Sequence, residues 1–296
     1  MRMDEQEESG NVHDVRGESG GGGGGGFGLP IGGRGIGLGT VAVALVAGWI
    51  FGINPLTLLG ALSGGGGDPQ VVQREHARDP VTTDAARTQA TDPQVQFVSR
   101  VLRSTEQVWG GVFRQAGKTY RPTPLYVYDG GYSTACGYGQ AAMGPFYCPG
   151  DQSVYIDLRF FQQLDRQLGA PGEFARAYVV AHEVGHHVQN LMGIMERTGG
   201  RQSNDTSVRT ELMADCFAGV WANLAQKVER GWRFDPGDVE AGLNAASRIG
   251  DDTLQRRSGG AVVPESFTHG SSAQRVQWFR RGLESGSPDA CDTFGR

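Results

Sequence analysis

The chain has 296 residues, a formal net charge of −5 and only 20% charged residues. An acidic chain with few charges lacks the basic stripe that nucleic-acid binding requires, and that class is set aside. The 48 glycines crowd the first quarter of the chain, with an unbroken run over 20–26, whereas all 4 cysteines fall beyond residue 135.

Residues 1–34 are polar, acidic and Gly-rich, which predicts a disordered N-terminal tail. No Asp, Glu, Lys, Arg or His occurs between Arg34 and Asp68. Within that stretch residues 35–62 are almost wholly apolar. They exceed the roughly 20 residues that a helix needs to cross a bilayer. They predict a single transmembrane anchor rather than a cleaved leader, because no small-x-small exit site follows. A buried core helix is the competing reading, and the Gly-rich flanks argue against it. Arg34 precedes the span and the next basic residue is Arg74, a bias that predicts a cytoplasmic N-terminus and an extracytoplasmic catalytic portion. Residues 63–92 read as a linker, and 93–296 as the functional domain.

In that domain, Val95, Val98, Val101, Leu102, Val108 and Phe113 recur at helical spacing over 94–115. Short runs at 124–128, 146–148 and 153–157 read as strands, and 158–168 as a helix. A longer helix follows over 173–192, with Phe174, Tyr178, Ala181, Val184, Val188 and Leu191 on one stripe. Pro171-Gly172 opens it and Gly193 closes it. Further helices are expected from Val208 to Gly219, from Asp235 to Ile249 and from Ser271 or Ser272 to Gly282. The fold class is therefore α+β, a small N-terminal sheet followed by a mostly helical half.

The 173–192 helix carries His182-Glu183-Val184-Gly185-His186. Four residues make about one helical turn, so both imidazoles share a face and can hold one Zn²⁺. Glu183 sits where it can reach a water on that ion. A buried helix with hydrogen-bonded histidines is the alternative; two histidines at i and i+4 around an acid oppose it. His187, turned about 100° from His186, does not share the ion. A catalytic zinc has three protein ligands and one open position. The next helix offers Glu211 and Asp215, again at i and i+4. Glu211 is the expected third ligand. Asp215 is expected to accept the outer N–H of a histidine, His182 foremost. Cys216 is a weaker ligand candidate, and two solvated surface acids are the alternative. Residues 198–205 read as the loop that folds the second helix back on the first, with Asn204, Thr206 and Ser207 as caps.

The four cysteines allow three pairings. Cys136 with Cys148 would close a small ring, and Cys216 with Cys291 would tie the C-terminal tail to the second zinc helix. Four buried thiols remain the alternative.

With H-E-x-x-H followed by a helix bearing E-x-x-x-D, the chain resembles the zincin metallopeptidases whose third ligand is glutamate. More narrowly it is similar to the bacterial neutral zinc metallopeptidase family. The matching pieces are Asn11-Val12 with Asp14 and Arg16-Gly17, the run at Cys136-Gly137, and 144–149 (GPFYCP). They continue with Tyr155-Ile156-Asp157, AHEVGHHVQ (181–189), the Glu211-to-Gly219 segment, 249–252 (IGDD) and 267–275 (FTHGSSAQR). The resemblance implies a zincin-like fold, a Zn²⁺ cofactor and a peptide or protein substrate. It also implies that a sheet edge accepts an extended peptide, with 144–148 and 153–157 as candidates and ordinary sheet packing as the alternative.

His269 has two readings, an oxyanion donor in the transition state or a turn residue before the last helix. Tyr147 and Tyr155 are further candidate donors. The function expected is a membrane-anchored zinc metallopeptidase in which Glu183 is the general base. With no Gly-x-Ser-x-Gly elbow, no acyl-enzyme is expected. Its rivals are an inactive zinc-binding envelope interaction protein and a zinc amidohydrolase acting on a non-peptide substrate.

Overall fold

The computed structural model describes residues 1, 3, 6–17, 92–140, 144–197, 203–228, 232–259 and 261–295. The expected anchor 35–62 and all but Asp92 of the expected linker lie outside the described residues, as does the tail beyond residue 17. Among the described residues no helix is long and apolar enough to cross a membrane.

The described part of the N-terminal segment is not a disordered tail. Val12–Asp14 forms strand β1, and Val12 is buried in the core. Three residues carry no readable period, so periodicity gave no sign of it. Tertiary hydrogen bonds hold it instead: Ser9 Oγ and Asn11 Nδ2 both donate to Glu106 Oε1 at 2.7 Å. Glu106 belongs to helix α1, Pro93–Gln115. Asp92 caps α1 by accepting the Gln94 amide at 2.8 Å, and proline fills the first turn. The helix buries Val95, Val98, Val101, Leu102, Trp109 and Phe113.

The chain then forms β2 (Leu125–Val127), the hairpin β3 (Gly131–Thr134) and β4 (Gly137–Gln140), β5 (Phe146–Cys148) and β6 (Ser153–Ile156). The main sheet runs β1-β2-β6-β5, with β2 parallel to β1 and β6, and β5 antiparallel to β6. Of the two edge candidates, only β5 lies at an edge. All four residues of β6 are buried between neighbouring strands, so 153–156 is closed to strand addition. The hairpin of β3 and β4 falls outside the strands expected from the sequence, and Cys136, in the turn between them, is bonded to Cys148 of β5. One sheet face carries stacked rings: Tyr155 lies 5.2 Å from Tyr126 and 5.1 Å from Phe146.

Helices complete the chain: α2 (Arg159–Arg166), α3 (Glu173–Leu191), α4 (Ile194–Arg197), α5 (Asn204–Val228), α6 (Asp238–Arg248), α7 (Asp251–Arg257) and α8 (Ser272–Ser285). The fold is thus α+β, a small sheet with a mostly helical body. Helix α5 begins at the first of the expected caps. Asn204, Thr206 and Ser207 lie inside it, while Ser203 Oγ accepts the Thr206 amide at 3.2 Å. Helix α8 starts with a capping box between Ser271 and Gln274.

Helix α5 packs against both α3 and α8, and glycine permits the close approaches. A Cβ on Gly282 would meet the Cys216 carbonyl oxygen at 1.9 Å, and one on Gly219 would meet the Phe279 oxygen at 2.1 Å. No side chain fits either place. The Cys216–Cys291 disulfide then ties α5 to the turn Pro288–Cys291.

Candidate metal centre

Helix α3 is buried nearly all round from Phe174 to Gln189, so a polar group on it is costly wherever no partner meets it. His182 and His186 lie one turn apart with ring centroids 4.9 Å from each other. Gly185, between them, faces Ala214 of α5; a Cβ there would lie 3.0 Å from the Ala214 oxygen. The missing side chain lets α5 come close enough for Glu211 to reach both rings. Glu211 Oε2 is 3.0 Å from His182 Nε2, and Oε1 is 3.4 Å from His186 Nε2. One ligand atom from each of the three residues falls within 4.8 Å of the others.

The far nitrogen of each ring is held too. His182 Nδ1 is 2.9 Å from Asp215 Oδ1. Asp215 is fully buried, and it accepts from the Tyr178 hydroxyl and doubly from Arg275, Nε to Oδ2 and Nη2 to Oδ1, both at 2.9 Å. His186 Nδ1 lies 3.0 Å from Gln189 Oε1, and Gln189 Nε2 donates to the Thr210 carbonyl at 2.6 Å. Both histidines thus donate outward from Nδ1 and turn Nε2 toward the Glu211 carboxylate. Such outer partners fix ring orientation and tautomer around a metal.

The electrostatics draw a cation inward. Burial would raise the Glu211 carboxyl, but the facing His186 and His182 hold it well below the usual range. Burial likewise opposes charge on Asp215, and Arg275, then His182, overrides it downward. Burial disfavours the His182 imidazolium, yet Asp215 and Glu211 push that ring up to about 10; His186 is raised by Glu211 against the same penalty. Two imidazole nitrogens and a carboxylate oxygen, at these separations and with satisfied outer partners, fit Zn²⁺.

Glu183 shares the pocket. It is buried, has no hydrogen-bond partner among the described residues, and its carboxyl is raised chiefly by burial. That leaves its oxygens available to take a proton.

The other candidates are placed elsewhere. His187 Nε2 meets the Arg121 carbonyl at 2.7 Å and its Nδ1 lies 3.1 Å from the Tyr147 hydroxyl; burial lowers its pKa. Tyr147 also accepts from Asn190 at 2.9 Å. Tyr155 donates to Asp151 at 2.9 Å. Cys216 lies in a disulfide, which removes it as a ligand. His269 is half-exposed, with Nδ1 3.2 Å from Asp251 Oδ1. Asp251 Oδ2 accepts the amides of Thr268, His269 and Gly270 at 2.8, 2.7 and 3.0 Å, which fixes the loop that carries the histidine.

Sequence reasoning missed Arg275, Tyr178 and Gln189. Tyr178 was counted in the apolar stripe, and Arg275 sits among Gln274, Gln277, Arg280 and Arg281, where a solvated face is the ordinary reading. Its one signal was the FTHGSSAQR stretch, whose last residue is Arg275.

A His-Glu-x-x-His helix meeting a glutamate from the next helix defines a zincin-type candidate metal site. The chain belongs to the family described as putative neutral zinc metallopeptidase, whose model matches residues 1–294. The uncharacterized protein YpfJ of Escherichia coli strain K12 is 46% identical over 303 positions, covering 100% of this chain and 99% of that protein. The uncharacterized protein Rv2575 of Mycobacterium tuberculosis strain H37Rv is 41% identical over 209 positions, 67% of this chain and 71% of its own length. No solved structure matches.

Proposed function

We propose that the protein is a zinc metallopeptidase that cleaves peptide bonds without a covalent intermediate. The observation that carries this reading is the convergence of His182, His186 and Glu211 around one point, with Glu183 beside them. His182, His186 and Glu211 would hold Zn²⁺, which would supply the Lewis acid that polarises a carbonyl and acidifies a water. Glu183 takes the proton from that water and passes it to the leaving amine, and its raised pKa suits both transfers. Asp215, pinned by Arg275 and Tyr178, keeps His182 in the tautomer that presents Nε2. Gln189 does the same for His186. Burial opposes charge on His269 but Asp251, engaging its Nδ1, raises the ring, and as the imidazolium it donates from Nε2 to the developing oxyanion. Strand β5, at the sheet edge and packed against α3, receives the extended substrate.

The apolar stretch 35–62 attaches the enzyme to a membrane. The two disulfides favour an oxidising, extracytoplasmic location for the domain.

The test uses the purified full chain, its zinc content and a panel of protein and peptide substrates. Glu183→Gln is expected to keep zinc and lose about 10²–10⁴-fold of the hydrolysis rate. Glu211→Ala is expected to lose the zinc. Wild-type protein that holds zinc but cleaves nothing across the panel would overturn the peptidase reading in favour of a binding role.

A further inference from the structure

The two flanks of the apolar stretch are built into one domain. Val12, His13 and Asp14 pair in register with Leu125, Tyr126 and Val127. The ladder extends beyond the strand at both ends: the Leu125 amide donates to the Asn11 carbonyl at 2.8 Å, and the Val15 amide to the Val127 carbonyl at 2.9 Å. Side chains lock the same contact. Ser99 Oγ donates to the Ser9 carbonyl at 3.0 Å, and the buried Glu106 carboxylate accepts from both Ser9 and Asn11. Arg16 lies at the exit of this segment and Asp92 at the re-entry. Arg16 Nη1 donates to Asp92 Oδ2 at 2.8 Å while its other nitrogens hold Asp14. Residues 16 and 92, on either side of the stretch between, are therefore held together.

Backbones that share a hydrogen-bonded ladder lie on one side of a bilayer, because hydrocarbon separates whatever a crossing separates. A single crossing between residues 17 and 92 would put β1 on one face and β2 on the other. The cost of undocking β1 is concrete. The backbone of β2 would lose its outer partner, Val12 would be exposed, and buried Glu106 would lose both short donors.

We infer that residues 6–17 and the zinc domain occupy the same side of any membrane this protein touches, so that the stretch between them makes either no full crossing or an even number of crossings. This replaces the single-pass arrangement with a cytoplasmic N-terminus that the Arg34 bias predicts. It stands independently of peptidase activity.

The experiment uses the full chain expressed in bacterial cells. All four cysteines are paired, so an added one is a unique thiol. Glu7→Cys, at a side chain 71% exposed, and Glu265→Cys, on the exposed turn Pro264–Ser266, are labelled separately with a membrane-impermeant maleimide, before and after permeabilisation. The expected result is the same pattern for both, either labelled in intact cells or labelled only after permeabilisation. Labelling of one before and the other only after permeabilisation would overturn the inference. A second measurement guards against altered insertion of either variant. His13 and Tyr126 are registered partners with rings 5.0 Å apart. His13→Cys with Tyr126→Cys is expected to give an intrachain cross-link on mild oxidation, seen as a reductant-reversible mobility shift. Absence of that shift removes the strand pairing and the inference with it.

Discussion

The helical end and the sheet end of this molecule solve burial differently. Around α3, α5 and α8 the interior holds His182, Glu183, His186, Asp215 and Arg275, all under 10% exposed. Around β2, β5 and β6 the interior holds rings: Tyr126, Tyr128, Tyr155 and Phe146 cluster about the Cys136–Cys148 bridge. Buried charge is costly and is retained only when each group meets a partner. The helical end offsets that cost by pairing Asp215 with Arg275 and His182, and Glu211 with both histidines. The sheet end buries fewer charges, Asp14 against Arg16 and Asp157 against Arg159, and elsewhere is held by apolar contact and ring geometry.

The sharpest way to break this contrast is Arg275→Met. Removing one partner of a buried pair leaves Asp215 charged and alone, and is expected to destabilise the fold by about 3–5 kcal/mol in denaturant unfolding. Zinc affinity is expected to fall about 10–100-fold through His182. An unchanged unfolding midpoint together with unchanged zinc affinity would show that the buried network carries no weight.

The two disulfides sharpen it next. Cys216–Cys291 spans 75 residues and Cys136–Cys148 spans 12. Loop-closure entropy predicts that losing the first costs about 4 kcal/mol and the second about 3 kcal/mol. Cys291→Ser and Cys136→Ser, compared in the same unfolding assay, check the order. A larger loss at the sheet end would refute it.

The pH dependence of metal uptake distinguishes the ends by a smaller step. His182 is pushed up to about 10 and His186 is also raised. A raised histidine keeps its proton below its folded pKa, so zinc must displace that proton. Affinity is expected to rise with pH, about tenfold per unit for each proton released. Chelator competition between pH 6 and 8 measures it, and a flat profile would contradict the charge pattern.

The smallest expected effect lies in the sheet. Tyr126→Leu removes the stacking partner of Tyr155 and His13 and is expected to cost about 1 kcal/mol. Zinc content should not change. If zinc were lost with it, the two ends would be coupled after all.

The legible parts of the site were those written in local spacing. His182, Glu183 and His186 sit on one helical face by arithmetic, and so do Glu211 and Asp215. Helix α1 was legible because Val95, Val98, Val101 and Leu102 repeat the same period. Strand β1 was not, because three residues in a polar segment have no period; its partners, β2 and Glu106, lie more than 90 residues away. Arg275 was hidden for a related reason. An arginine among polar neighbours on a helix looks solvated until another helix is known to cover it. Asp251 stood only in the IGDD stretch, with no role legible there, and only the 268–270 loop shows that it anchors His269.

By itself the sequence determined which groups share a helical face, since a helix repeats its face every turn whatever surrounds it. Packing decided how close they come. Gly185 against Ala214, and Gly219 and Gly282 at the α5–α8 crossing, allow approaches that any side chain would forbid. Those contacts set Glu211 between two imidazoles and Arg275 against Asp215, and the pairing of β1 with β2 built the N-terminal segment into the sheet.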